Sequence, residues 1–95
     1  MAVSTIATKR PFKVVAKASS TIASMSGTGE TTIDTTEDGW VALGIVGWQN
    51  GGNSSFYPYT LRFMGNNTIK VQLRNITSGT LTNVSLTADV LYMKA

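Results

Sequence analysis

The chain has 95 residues and a net charge of +3, and it holds neither cysteine nor histidine. That length makes one domain. Its composition excludes disulfides, Ser-His-Asp and Cys-His catalysis and the usual zinc ligands. A domain this small buries roughly 60–65% of the surface its unfolded chain exposes, so self-association is the cheapest further source of stability.

Residues 1–11 read as an extended arm ending at Pro11. Its weak apolar stretch precedes the basic residues Lys9 and Arg10, the reverse of a secretory signal. The expectation is a chain made in a cytoplasm and not exported by the standard route. From Phe12 the pattern has period two. Phe12, Val14, Ala16 and Ala18 alternate with Lys13, Val15, Lys17 and Ser19, which predicts a half-buried strand with both lysines on the solvated side. Residues 19–29 are rich in Ser, Thr and Gly, with Ile22 and Met25 as the large apolar side chains. They form a weak edge strand or a loop. Residues 30–36 are Thr- and Ile-rich and β-prone, and Glu37-Asp38-Gly39 marks a turn.

Residues 40–48, Trp-Val-Ala-Leu-Gly-Ile-Val-Gly-Trp, are almost continuously apolar. A strand apolar on both sides needs cover on both faces, and a domain this small has few layers to supply it. A second copy of the chain is the expected cover, with Ile45 and Val46 as candidate interface residues. Residues 49–55 form a polar loop whose Gly and Asn tolerate positive φ. Tyr57, Tyr59, Leu61 and Phe63 then alternate with Pro58, Thr60, Arg62 and Met64. Pro58 stands near the strand start, where a missing N–H is tolerated. Residues 65–67 make a hairpin connection. Ile69, Val71 and Leu73 alternate with Lys70, Gln72 and Arg74, and Ser78-Gly79 marks another turn. In the last strand Val84, Leu86, Ala88, Val90 and Tyr92 alternate with Ser85, Thr87, Asp89, Leu91 and Met93. Its outward side turns apolar at Leu91 and Met93, which invites association and adds both to the candidate interface. No segment has a helical apolar stripe. The expected fold is all-β, an antiparallel β-sandwich of about six strands occupying residues 12–95.

The acids are Glu30, Asp34, Glu37, Asp38 and Asp89. Four of them fall in one Thr-rich strand and turn, where solvated turn acids are the ordinary reading. A glycosidase carboxylate pair and a calcium loop are the alternatives, and residues 35–39 lack the regular oxygen spacing of the latter. The reading is therefore no catalytic residues, no enzyme, no cofactor and no metal. The basic residues show no phosphate-binding stripe with interleaved aromatics, so no nucleic acid is expected. Apolar runs fall far short of the ~20 residues that cross a bilayer, so no membrane insertion is expected. Asn53, Asn66, Asn75 and Asn83 begin Asn-x-Ser/Thr triplets, which matter only in a eukaryotic secretory pathway. A sugar site needs an aromatic platform with amides or hydroxyls nearby. Trp48, Gln49, Asn50, Asn53 and Tyr57 have that chemistry, with Tyr59 across the loop. Trp48 stands at the strand-to-loop junction and is the main candidate. Trp40, Tyr57 and Tyr59 sit at alternating strand positions, where core side chains are the ordinary reading. Arg62 and Arg74 fall on outward faces and read as inter-subunit or solvent contacts rather than ligand clamps.

Residues 38–47, Asp-Gly-Trp-Val-Ala-Leu-Gly-Ile-Val-Gly, resemble a strand found in small β-sandwich domains of bacteriophage tail fibres and baseplate receptor-binding proteins. Residues 71–75 and 88–94 resemble their closing pair of strands. The arrangement is similar to the H-type lectin fold, a six-stranded sandwich that assembles as a trimer. The resemblance implies a virion protein, a homotrimer that binds a host surface glycan and meets other virion proteins through its N-terminal arm. Tail fibres carry a long shaft before the tip and this chain has a short arm. The alternative is a capsid or tail decoration protein, attached through that arm, without a small-molecule ligand.

Overall fold

The computed structural model describes residues 11–50 and 55–95, and the arm of residues 1–10 lies outside them. Among the described residues eight strands follow one another: β1 (Phe12–Ala18), β2 (Ile22–Met25), β3 (Thr28–Asp34), β4 (Trp40–Asn50), β5 (Phe56–Phe63), β6 (Thr68–Asn75), β7 (Leu81–Val84) and β8 (Leu86–Lys94). They pair antiparallel into two three-stranded sheets, β1-β8-β4 and β3-β6-β5, with β2-β7 as a short third sheet. The all-β sandwich expected from the alternation is present, with eight strands where about six were expected. The additional strands are short. The Ser/Thr/Gly-rich segment contributes β2, and Asn83, at φ 54°, marks the end of β7 just before β8.

The core is the meeting of two central strands. β8 turns Leu86, Ala88, Val90 and Tyr92 inward, and β6 turns Ile69, Val71 and Leu73 inward, all at 0% exposure. Ile33, Met25, Phe56 and Val84 complete the core. Such side chains each contribute about 1.5–3 kcal/mol on burial. Two buried polar side chains, Tyr92 and Asn75, are tied. The Tyr92 hydroxyl donates to the Thr35 carbonyl at 2.6 Å. The Asn75 amide donates to the carbonyls of Met25 and Gly79, and its oxygen accepts from the Thr77 N–H and hydroxyl. That knot fastens the end of β6 to β2 and to the turn before β7.

Three strands sit in a different phase from the one their alternation suggests. In β1, Lys13 and Lys17 lie opposite Tyr92 and Ala88, on the inward side, while Phe12, Val14 and Ala16 lie opposite Met93, Leu91 and Asp89 on the outer face. Phe12 and Val14 are each 55% exposed. Val15 is the β1 residue that packs on the core. An edge strand tolerates this phase because lysine stems can run along apolar surface while the ammonium reaches out. Both ammoniums reach Glu37 at 2.7 Å, and Lys13 also lies 4.3 Å from the Trp40 ring centroid. Inward charges of this kind also discourage edge-to-edge pairing.

Bulges change the phase of β4 and β5. In β4 the register shifts between Ala42 and Gly44 and again between Ile45 and Gly47. Leu43 and Gly44 therefore both face Leu91, and Val46 and Gly47 both face Asp89, as a bulge sets two residues against one. Ala42 and Ile45 point inward and pack on the core. Ile45, expected at an interface, thus points inward and packs partly buried against the core, because the first bulge resets the alternation before it. Val46 is outward and 58% exposed. In β5 the shift between Pro58 and Thr60 makes Tyr59 the extra residue. Tyr57 and Tyr59 are exposed, against the ordinary core reading of their spacing.

Candidate functional site

The two outer faces of the sandwich have opposite chemistry. On β3-β6-β5 the register rows are Thr28–Arg74–Tyr57, Glu30–Gln72–Thr60, Thr32–Lys70–Arg62 and Asp34–Thr68. This face is polar and mostly basic. Glu30 accepts a hydrogen bond from the Gln72 amide at 3.1 Å and lies 3.6 Å from the Lys70 ammonium. Among the described residues no carboxylate pairs with Arg62 or Arg74. A shallow depression at the β5–β6 hairpin lies on the same face, lined by Thr32, Met64, Asn66 and Lys70.

Aromatic side chains border this face along β5. Tyr57 is 41% and Tyr59 50% exposed, and Trp48, at the end of β4, is 45% exposed. The Asn50 side-chain amide donates to the Phe56 carbonyl at 3.1 Å. This bond holds the end of β4 beside the start of β5, so Trp48 and Tyr57 flank one tie between the sheets. The expected platform of Trp48, Gln49 and Asn50 does not assemble as a unit. Trp48 lies opposite Ala88 on the inward side of its sheet, whereas Gln49 lies opposite Thr87 on the outer face. Asn50 is committed to holding the strand ends together. Asn53 lies outside the described residues. Arg74 stands in register with Tyr57, a neighbour for the ring where the sequence pattern reads as a subunit or solvent contact. The signal available was the β5–β6 hairpin register.

The acids take separate structural roles. Glu37 clasps β1 to the β3–β4 turn, and its hydrogen bonds from Lys13 and Lys17 lower its pKa from 4.5 to about 2. The same contact with Glu37 raises the pKa of Lys17. The Asp34 carboxylate accepts from the Thr36 N–H at 2.9 Å, which lowers its pKa. Among the described residues no three acids come together to hold a metal ion. The arrangement offers stacking surfaces and fixed positive charge, which suits binding.

The chain is thus an all-β sandwich with a polar, aromatic-edged face. No protein-family model, no curated protein and no solved structure matches it.

Proposed function

We propose that this protein is a non-enzymatic binding module of a bacteriophage virion that takes an acidic host-surface glycan on the outer face of β3-β6-β5. The virion setting rests on the sequence resemblance alone. The observation that carries the binding reading is the row Tyr57–Arg74, with Tyr59 and Arg62 beyond it on the same strand. Two half-exposed aromatic rings stand beside two guanidinium groups that no carboxylate of the described chain neutralises. A tyrosine offers an apolar face for a sugar ring and a hydroxyl for its polar edge. Arginine is the residue suited to bidentate recognition of carboxylate or phosphate.

Binding of the full chain to an array of neutral and acidic oligosaccharides tests this. The expected result is retention of acidic glycans, lost in Tyr59→Ala and weakened in Arg74→Gln with the β circular dichroism unchanged. Loss of one stacking ring costs on the order of 1–3 kcal/mol, by analogy with base-stacking platforms. Absence of any glycan binding, or binding indifferent to both substitutions, would leave the decoration-protein reading in its place.

A further inference from the structure

The outer face of β1-β8-β4 contrasts with the face just described. Its rows are Phe12–Met93–Val41, Val14–Leu91 with Leu43 and Gly44, and Ala16–Asp89 with Val46 and Gly47. Phe12, Val14, Val41, Leu43 and Val46 are between 45% and 58% exposed. Together with Leu91 and Met93 they present roughly 400–500 Å² of apolar surface, within the range of the largest patch on an ordinary monomer, which is often functional. A standard interface takes about 800 Å² per partner, of which about 65%, or roughly 500 Å², is apolar in homodimers.

We infer that this face pairs with the same face of a second copy, around a two-fold axis that runs across the strands at the level of Val14 and Leu91. The shape of the face along β1 favours that arrangement. Its bulky row, Phe12–Met93–Val41, lies two residues to one side of Leu91. The row of Ala16, Asp89 and Gly47, with the exposed Val46 of the bulge beside Gly47, lies two residues to the other. A two-fold axis between them sets Phe12 of each copy on the partner's Ala16 and Val41 against the partner's Val46–Gly47 bulge. An isologous contact has to be self-complementary in this way.

Asp89 sets the strength of this pairing. Among the described residues no basic group pairs with it. Gly47 leaves its carboxylate room, since a Cβ there would lie 3.0 Å from Asp89 Oδ2. An axis on the Asp89 row would bring two carboxylates together. The axis at Leu91 keeps them roughly 13 Å apart along the strands, at a rise of about 3.3 Å per residue, and sets each beneath the partner's Met93. Covering an unpaired charge opposes association, so the dimer is weak and reversible. The resemblance implies three-fold assembly, and this face instead favours a pair. The inference does not depend on what the polar face binds. In such a pair the two polar faces point away from each other, so the dimer would be bivalent.

Sedimentation of the full chain from about 10 µM to about 1 mM tests this, with folding followed by circular dichroism. A monomer–dimer equilibrium is expected in that range. Leu91→Asp and Val14→Asp should each abolish the dimer; Val14 is on an exposed edge strand, so its variant keeps the test alive if Leu91→Asp fails to fold. Asp89→Ala should tighten the dissociation constant about tenfold or more, and Tyr59→Asp on the opposite face should leave it unchanged. A monomer up to about 1 mM would overturn the inference and assign the face to residues 1–10 or to another protein. A trimer, a dimer indifferent to Val14→Asp, or a dimer weakened by Asp89→Ala would overturn it as well.

Discussion

Removing one hydroxyl from the core should reveal how much the sandwich depends on a single buried hydrogen bond. Tyr92 and Thr35 are both at 0% exposure, and the Tyr92 hydroxyl donates to the Thr35 carbonyl at 2.6 Å. Tyr92→Phe keeps the ring and its packing but leaves that carbonyl buried without its donor. The cost of such an orphaned group is about 1–3 kcal/mol. For a domain of this size each kcal/mol shifts Tm by roughly 4–8 °C, so a fall of at least several degrees is expected in thermal unfolding followed by circular dichroism. The adjacent hydroxyl predicts the opposite sign. Thr35 Oγ1 is buried and makes no hydrogen bond among the described residues, so Thr35→Val removes a desolvated polar group while nearly preserving shape. It should be neutral or stabilising by up to about 1–3 kcal/mol. A Tyr92→Phe protein within about 0.5 kcal/mol of the parent would refute the reasoning. So would a Thr35→Val protein destabilised as much as Tyr92→Phe.

The Glu37 clasp should make stability pH-dependent. Its folded pKa, about 2, lies below the ordinary 4.5, so its contribution is complete above about 4.5 and is lost as pH falls from there towards 2. Tm measured across that window should drop more steeply for the parent than for Glu37→Gln, and equal slopes would remove the clasp from the account. The raised pKa of Lys17 places the upper limit of the same contribution above pH 10.5. Adjacent residues of β4 should respond differently to a charge. Ile45→Asp sets a carboxylate against the core where Ile45 is partly buried, costs about 1–3 kcal/mol or more, and should lower the stability of the fold. Val46→Asp, at a bulge and 58% exposed, should leave the monomer folded, as urea unfolding would show.

The β class was legible in the residues because alternation over β6 and β8 continues without interruption. Their inward sets, Ile69–Val71–Leu73 and Leu86–Ala88–Val90–Tyr92, are the core that alternation predicts. Gly39 and Gly65, at positive φ, stand at turns that the sequence marks. The doubly apolar character of β4 was also informative, since its outward half, Val41, Leu43 and Val46, is exposed. What alternation does not specify is which of two faces turns inward. In β1 both sets contain apolar residues, and the choice fell to a partner remote in sequence, Glu37, which holds Lys13 and Lys17 over the inner edge. A bulge inserts one residue and sets the two sides of a strand out of phase, so Leu61 and Phe63 beyond the β5 bulge pack on the core while Tyr57 before it and Tyr59 within it stand on the surface. One trace of the β4 bulges is visible in the residues, the repeated apolar-apolar-Gly triplet Ala42-Leu43-Gly44 and Ile45-Val46-Gly47. Period two belongs to one strand and can be read from it. Phase, bulge position and the pairing of Tyr57 with Arg74 depend on neighbouring strands, and those neighbours are chosen only when the two sheets close on each other.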